Sequence, residues 1–210
     1  MTVLAWALIG YACGSVPSAW MAAGVAGRRQ VLDHVRRTTG ETDAHLLLRE
    51  TARGAAIAAA VLDVLKGFVP VLVASRLTGP YGVAACAVGA VTGHCWPPAL
   101  HRIAGRGLAT SAGVFLGFLP VEMVFAGIVR VAGSLAKAGG LASTIGFLAI
   151  PVLALLRGQP APYVAAAAAV NVLIFVRRLE GINEDVAMGI PRSRALIRRL
   201  VLDASAHVGR

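Results

Sequence analysis

Charged positions along this chain are few and clustered. Residues 1–27, 77–101, 138–156 and 158–176 contain no Asp, Glu, Lys or Arg, and each run nears or exceeds the ~20 apolar residues that a helix needs to cross a bilayer. A fifth apolar run, about 54–76, is interrupted only by Asp63 and Lys66. The stretch 107–136 is too long for one crossing and carries Pro120 and Glu122 near its middle. Two short helices meeting in a tight turn there satisfy the breaker and the charge together. The pattern predicts an all-α, polytopic integral membrane protein of about seven transmembrane helices.

Composition removes the alternatives. Of 210 residues, 57% are apolar and 14% charged, whereas a soluble domain carries about 25% charge. That excludes an ordinary soluble enzyme, a disordered chain and a disulfide scaffold. The first apolar run lacks a preceding basic region and a clear small-residue cleavage site, so it reads as a retained helix. Cys13, Cys86 and Cys95 are odd in number and lie inside apolar stretches, where a free cysteine behaves as a small hydrophobe. No disulfide or redox motif is inferred.

The net charge of +10 comes from 18 Arg and 2 Lys against 10 acids. With seven spans and the N-terminus outside, 17 of these cations fall in inside segments and only Arg76 and Arg157 outside. This bias is the positive-inside signature and places the C-terminus in the cytoplasm. A single helix over 107–136 would invert the last two spans and put the basic C-terminal tail outside.

Several local features carry candidate chemistry. Asp63 and Lys66, at i and i+3 on one helix face, either form a structural ion pair or act beside a site. The pairs Gly89/Gly93 and Gly113/Gly117 make small-xxx-small faces suited to close helix packing. AGRGLAT, residues 104–110, joins a Gly-Arg-Gly turn directly to a helix start, which supplies backbone N–H groups, a positive helix end and a cation at one point. These are the parts of a phosphate cradle, although an ordinary glycine turn has the same look. His34, His45, His94, His101 and Cys95 show no recognised zinc spacing, and no metal site is expected. From Pro191 to Arg210, Leu196, Ile197, Leu200 and Val201 recur at helical spacing among Arg194, Arg198 and Arg199. The tail is either an amphipathic helix on the anionic inner leaflet or a solvated basic segment. No aromatic residue interleaves these arginines, so nucleic acid is not an expected partner.

Taken together these segments resemble the acyl-phosphate glycerol-3-phosphate acyltransferase (PlsY) family of bacteria, over about residues 10–181. GSVPSAW is similar to the family's Gly-Ser-Ile-Pro-Phe-Gly at Gly14, Ser15 and Pro17. VLDVLKG at 61–67 is close to Leu-Asp-Val-Leu-Lys-Gly, GHCWP at 93–97 to Gly-His-x-Phe-Pro, and AGRGLAT to Gly-Gly-Lys-Gly-Val-Ala-Thr. Lys137, Leu141, Ala142 and Ser143 echo an Arg-x-x-Ser-Leu-Ala-Ser stretch. The first cytoplasmic motif, Asp-Ile-Arg-x-x-Gly-Ser-Gly-Asn-x-Gly-Ala-Thr-Asn-Val-x-Arg, lies without gaps on residues 33–49. It matches at Asp33, Gly40, Ala44 and Arg49, with Thr39 for the serine. Glu41, Asp43 and Leu46 depart from it, and acids at 41 and 43 would repel a phosphate that they faced.

The resemblance implies a seven-helix membrane enzyme without metal or other cofactor. Its activity would be acyl transfer from an acyl phosphate to glycerol 3-phosphate or a related phosphorylated acceptor, giving lysophosphatidic acid and phosphate. It implies phosphate and substrate contacts at Gly40, Arg49, Lys66, Gly105, Arg106, Gly107, Thr110, Lys137 and Ser143. Thr39, His94 and Asn171 are the candidate catalytic residues. Arg106 replaces the family's lysine and keeps the charge that holds phosphate.

The third motif, His-x-x-Asn-Ile-x-Arg-Leu-Leu-x-Gly-Thr-Glu, departs most. Aligning Arg177 and Gly181 puts Asn171 at the histidine and Ile174 at the asparagine. An asparagine is no general base near neutral pH, and an interhelical hydrogen bond is the plainer use for it. His94 matches a histidine that the family also carries, which suits a packing or phosphate-side residue better than a relocated base; His45 is the remoter substitute. Expectation therefore divides between a membrane acyltransferase of phospholipid synthesis and a catalytically impaired relative that binds lipid or a partner. In either case residues 1–181 form the membrane domain, 182–210 a basic cytoplasmic tail, and the location is a bacterial inner membrane.

Overall fold

The structure, a computed structural model, describes residues 2–27, 30, 53–98, 105–180 and 182–202. It is helical, with no strand among the described residues, and divides into two compact units, 1–118 and 119–210.

The first unit contains α1 (Val3–Gly14), α2 (Ser18–Val25), α3 (Arg53–Leu77), α4 (Pro80–Cys95) and α5 (Leu108–Phe118). Thr2 caps α1 by accepting from the N–H of Ala5. The first apolar run is not one continuous helix. Pro17 has no N–H to extend α1, and the chain restarts at Ser18 as α2. Val3–Val25 nonetheless has the length and hydropathy of a crossing, as do Gly54–Leu77, Gly139–Leu156 and Ala161–Leu179.

Glycines set the packing. A Cβ on Gly10 or Gly14 would strike the backbone of Cys86 or Ala90 on α4, and one on Gly89 or Gly93 would strike Ala7 or Tyr11 on α1. Each helix therefore notches the other, and backbones approach where side chains would hold them apart. Gly67, Gly113 and Gly117 bring α3 and α5 together in the same way. The small-residue faces at 89/93 and 113/117 thus lie in helix contacts. Alanines 19, 22, 23, 56 and 59 join α2 to α3, with Trp20 against them.

On α3 the large apolar residues Ile57, Val61, Leu65, Val69, Val73 and Leu77 face outward at i, i+4 spacing, whereas Ala56, Ala59, Asp63, Val71 and Ala74 are buried. Apolar outside and small or polar inside suits a helix whose solvent is lipid.

The second unit contains α6 (Pro120–Leu135), α7 (Gly139–Leu156), α8 (Ala161–Leu179), α9 (Ile182–Ala187) and α10 (Arg192–Leu200). The helix break expected near Pro120 is present. Residue 119 stands outside the helices with extended φ, and Pro120 opens α6 at a first-turn position where its missing N–H costs nothing. Gly133 and Gly146 admit Ala142 and Ala126 at the α6–α7 contact. Glu122 is buried and faces the turn after α7, with Oε1 3.4 Å from Arg157 Nε and 3.5 Å from Gln159 Nε2.

Candidate functional site

Four sequence segments converge at one end of the first unit. The break at residues 15–17 ends α1, and Lys66 reaches it from α3 by donating to Val16 O at 2.8 Å. The same ammonium lies 2.8 Å from Asp63 Oδ1. Spacing of i, i+3 made that pair legible in advance. The third member was not, because His94 comes from α4 and places Nδ1 3.5 Å from Asp63 Oδ1. All three side chains are less than a tenth exposed. Tyr11 OH donates to Trp96 O at 2.9 Å and fixes the end of α4 against α1. A phenolic hydroxyl within an apolar span signals such a partner.

The Gly-Arg-Gly turn lies beside this cluster. Gly107 has φ +84°, a left-handed conformation that glycine adopts without steric cost. A Cβ there would stand 3.0 Å from Cys95 Sγ and 3.9 Å from His94 Cδ2, so the backbone conformation strains any side chain and Cys95 would have to give slightly to admit one. Gly107 O accepts from Ser111 N at 2.8 Å, which starts α5. Gly105 is buried and Arg106 half-buried. Thr110 and Ser111 are 0% exposed, and their hydroxyls have no hydrogen-bond partner among the described residues. The first turn of a helix presents N–H groups that lack intrahelical acceptors. The segments GSVP, VLDVLKG, GHCWP and AGRGLAT therefore meet in a cluster of cations, hydroxyls and backbone donors. Such a cluster suits an anionic ligand.

The second unit carries three further candidates. Asn171, on α8, donates Nδ2 to Phe147 O of α7 at 2.8 Å. Ser143 is buried near the start of α7. Lys137 is exposed in the α6–α7 turn at φ 58° and donates its N–H to Ser134 O. Thr39, Gly40 and Arg49, with His34, His45 and His101, fall outside the described residues.

At the end of α8 the structure gives weight to a residue that motif matching passed over. Arg177 pairs with Glu180, whereas Arg178 is the more deeply buried of the two and donates to Thr144 Oγ1 and Leu200 O, each at 3.0 Å. No group of three or more His, Cys, Asp or Glu among the described residues is arranged to hold a metal.

The profile of a family described as glycerol-3-phosphate acyltransferase matches residues 4–187, which includes every segment of the cluster. This chain belongs to the glycerol-3-phosphate acyltransferase family. A glycerol-3-phosphate acyltransferase of Rubrobacter xylanophilus is 36% identical over 75% of this chain and 78% of its own. One from Synechococcus sp. strain JA-3-3Ab is 31% identical over 91% and 94%. The fold is that of PlsY, an integral membrane glycerol 3-phosphate acyltransferase solved in its glycerol 3-phosphate form, with TM-score 0.75 and 24% identity over 90% of this chain and 94% of that one. Family and fold make the chain a multi-pass integral membrane protein.

Proposed function

We propose that the protein is a membrane acyltransferase that makes lysophosphatidic acid from glycerol 3-phosphate, with an acyl phosphate as donor. The observation that carries this reading is the convergence of Lys66, His94 and the Arg106 turn at one end of the first unit, in a chain of this family. The seven-span arrangement with a cytoplasmic C-terminus puts that end at the inner face of a bacterial membrane, a placement supported by the arginine bias.

The chemistry needs no redox partner. The primary hydroxyl oxygen of glycerol 3-phosphate attacks the acyl carbonyl carbon, the bond from that carbon to the phosphate oxygen breaks, and the hydroxyl proton ends on the departing phosphate. Arg106, Lys66 and the N–H groups of the Gly105–Gly107 turn supply positive charge for the phosphates. Thr110 belongs to the same turn, and the family resemblance adds Thr39, Gly40, Arg49, Lys137 and Ser143 as proposed substrate contacts. Asp63 Oδ1 lies 3.5 Å from Nδ1 of His94, which puts the imidazole beside the carboxylate and Lys66 in the cluster. In this reading His94 takes the hydroxyl proton and passes it to phosphate, which replaces the family histidine where this chain has Asn171.

One observation favours the second reading, a catalytically impaired lipid-binding relative. The only group at the histidine's place, Asn171, has its amide committed to a helix backbone. A single assay separates the two: the purified protein in detergent receives an acyl phosphate and glycerol 3-phosphate, and phosphate release is followed. Turnover that Arg106→Ala lowers by about 10-fold or more supports the enzyme. No turnover above a protein-free blank, across acyl-chain lengths, leaves the second reading.

A further inference from the structure

The family match ends at residue 187, and α10 lies beyond it. Two residues hold this helix in place. Arg199 forms a two-pronged bond to Asp185 of α9, Nε to Oδ2 at 2.6 Å and Nη2 to Oδ1 at 2.9 Å, with both side chains buried. Arg178, from the last turn of α8, donates to Leu200 O. Thr144 and Gly140, at the start of α7, complete the seat: Thr144 Oγ1 donates to Val201 O at 3.2 Å, and Gly140 admits the Leu202 carbonyl. Both α7 and α8 are of bilayer-crossing length and composition. Their ends that carry Gly140 and Arg178 are where a spanning helix leaves the hydrocarbon, so α10 is pinned at the level of the headgroups.

The inner face of α10 is thus accounted for by Ala195 and Arg199. The outer face is not. Ile197 is 56% exposed, Leu202 46%, and Val201 and Ser193 lie beside them, with Arg192 and Arg194 exposed at the N-terminal turn. No acid lies between residues 192 and 202. Placing Arg192 and Arg194 in the first turn sets two cations against the positive end of the helix dipole, an arrangement that a negatively charged surface relieves.

We propose that α10 is a membrane-surface helix that lays Ile197, Val201 and Leu202 into the headgroup region of an anionic bilayer while Arg192 and Arg194 contact lipid phosphates. Arginine at such a surface favours docking by about fivefold per residue, and apolar side chains beneath the headgroups add to it. Arg199 sets which face points down, because its bond to Asp185 fixes the rotation of the helix. The inference rests on the chain spanning a membrane and is independent of its catalytic activity.

The test uses the full chain in lipid nanodiscs of phosphatidylcholine, with or without phosphatidylglycerol. An environment-sensitive fluorophore is placed on Ile197→Cys, and the unsubstituted protein, whose Cys86 and Cys95 are buried, sets the labelling background. The expected result is that phosphatidylglycerol shields the label from acrylamide severalfold. Arg192→Glu/Arg194→Glu should remove the shielding without lowering the melting temperature, because acids suit the first turn of a helix. Equal quenching with and without phosphatidylglycerol overturns the proposal. So does shielding that survives the charge reversal, or shielding that appears only in discs holding two copies, which assigns the face to a second protomer.

Discussion

The amide of Asn171 on α8 donates to the backbone carbonyl of Phe147 on α7 at 2.8 Å. This bond ties together two helices at the position where the family resemblance places a histidine. Hydrogen bonds between membrane helices average ~0.6 kcal/mol and reach ~1.7. Asn171→Ala should therefore lower stability by about 1 kcal/mol and leave the rate of phosphate release within a few-fold. His94→Gln should instead reduce kcat by about 100-fold or more, the scale of a lost general base. A large kcat loss in Asn171→Ala with a small one in His94→Gln would reverse the assignment.

Asp63 and Lys66 can be separated from the chemistry by a stability cycle. Asp63→Ala leaves Lys66 buried without its carboxylate, and breaking a buried pair on one side costs about 3–5 kcal/mol. The double change Asp63→Leu/Lys66→Met removes both charges and should recover most of that loss in thermal or denaturant unfolding. Phosphate release should stay depressed in the double variant, because Lys66 is a proposed phosphate contact. Additive losses in the two single variants would mean that the 2.8 Å pair contributes no coupling.

Arg106 is assigned to charge rather than to shape. Arg106→Lys should retain most of the activity, because lysine holds phosphate as a point charge. Arg106→Ala should lower kcat/KM by about 10–100-fold, the equivalent of one charged hydrogen bond of ~1.5–3 kcal/mol. Steady-state kinetics with glycerol 3-phosphate as the varied substrate reads the difference. Equal losses in both variants would point to a role that depends on the guanidinium fork.

Gly107 offers a test with an internal control. Gly158 has a similar backbone, φ +68°, but open space around it. Gly158→Ala should cost only the left-handed strain, about 1–2 kcal/mol. Gly107→Ala adds a tight 3.0 Å approach to Cys95 Sγ, so it should unfold at lower temperature than Gly158→Ala and should also lose phosphate release as the Arg106 turn shifts. A Gly107→Ala protein as active as Gly158→Ala would separate the turn from the site.

Much of the architecture was readable from local pattern. Three charge-free runs and the run interrupted by Asp63 and Lys66 located the bilayer-length helices, whereas the run 77–101 holds only the 16-residue α4; Pro120 and Glu122 marked the break before α6, and the i, i+3 spacing of Asp63 and Lys66 foretold their contact. The break at Pro17 leaves no mark in the hydropathy, because the charge-free run continues unchanged past it and one absent N–H does not alter it. Gly10 and Gly14 are silent in the sequence for a related reason: a notch acquires meaning only when its partner helix is known. The His94 contact to Asp63 joins residues 31 apart on different helices, which periodicity along one helix does not reveal. In the tail the helical spacing was plain, yet among its described arginines Arg199 is the buried one. That choice was set by Asp185, an acid lying before the segment in which the pattern was sought.

The interlocked glycines of α1 and α4 also say something about how the protein is made. Tyr11 OH finds its acceptor 85 residues further along the chain. At a synthesis rate of about 5–20 residues per second, that acceptor emerges several seconds to a quarter of a minute later. Through that interval α1 waits with its notches open to lipid. The contact that aligns GSVP with the rest of the cluster is therefore a late step of assembly, and a nascent chain halted before α4 has an inserted first helix but no site.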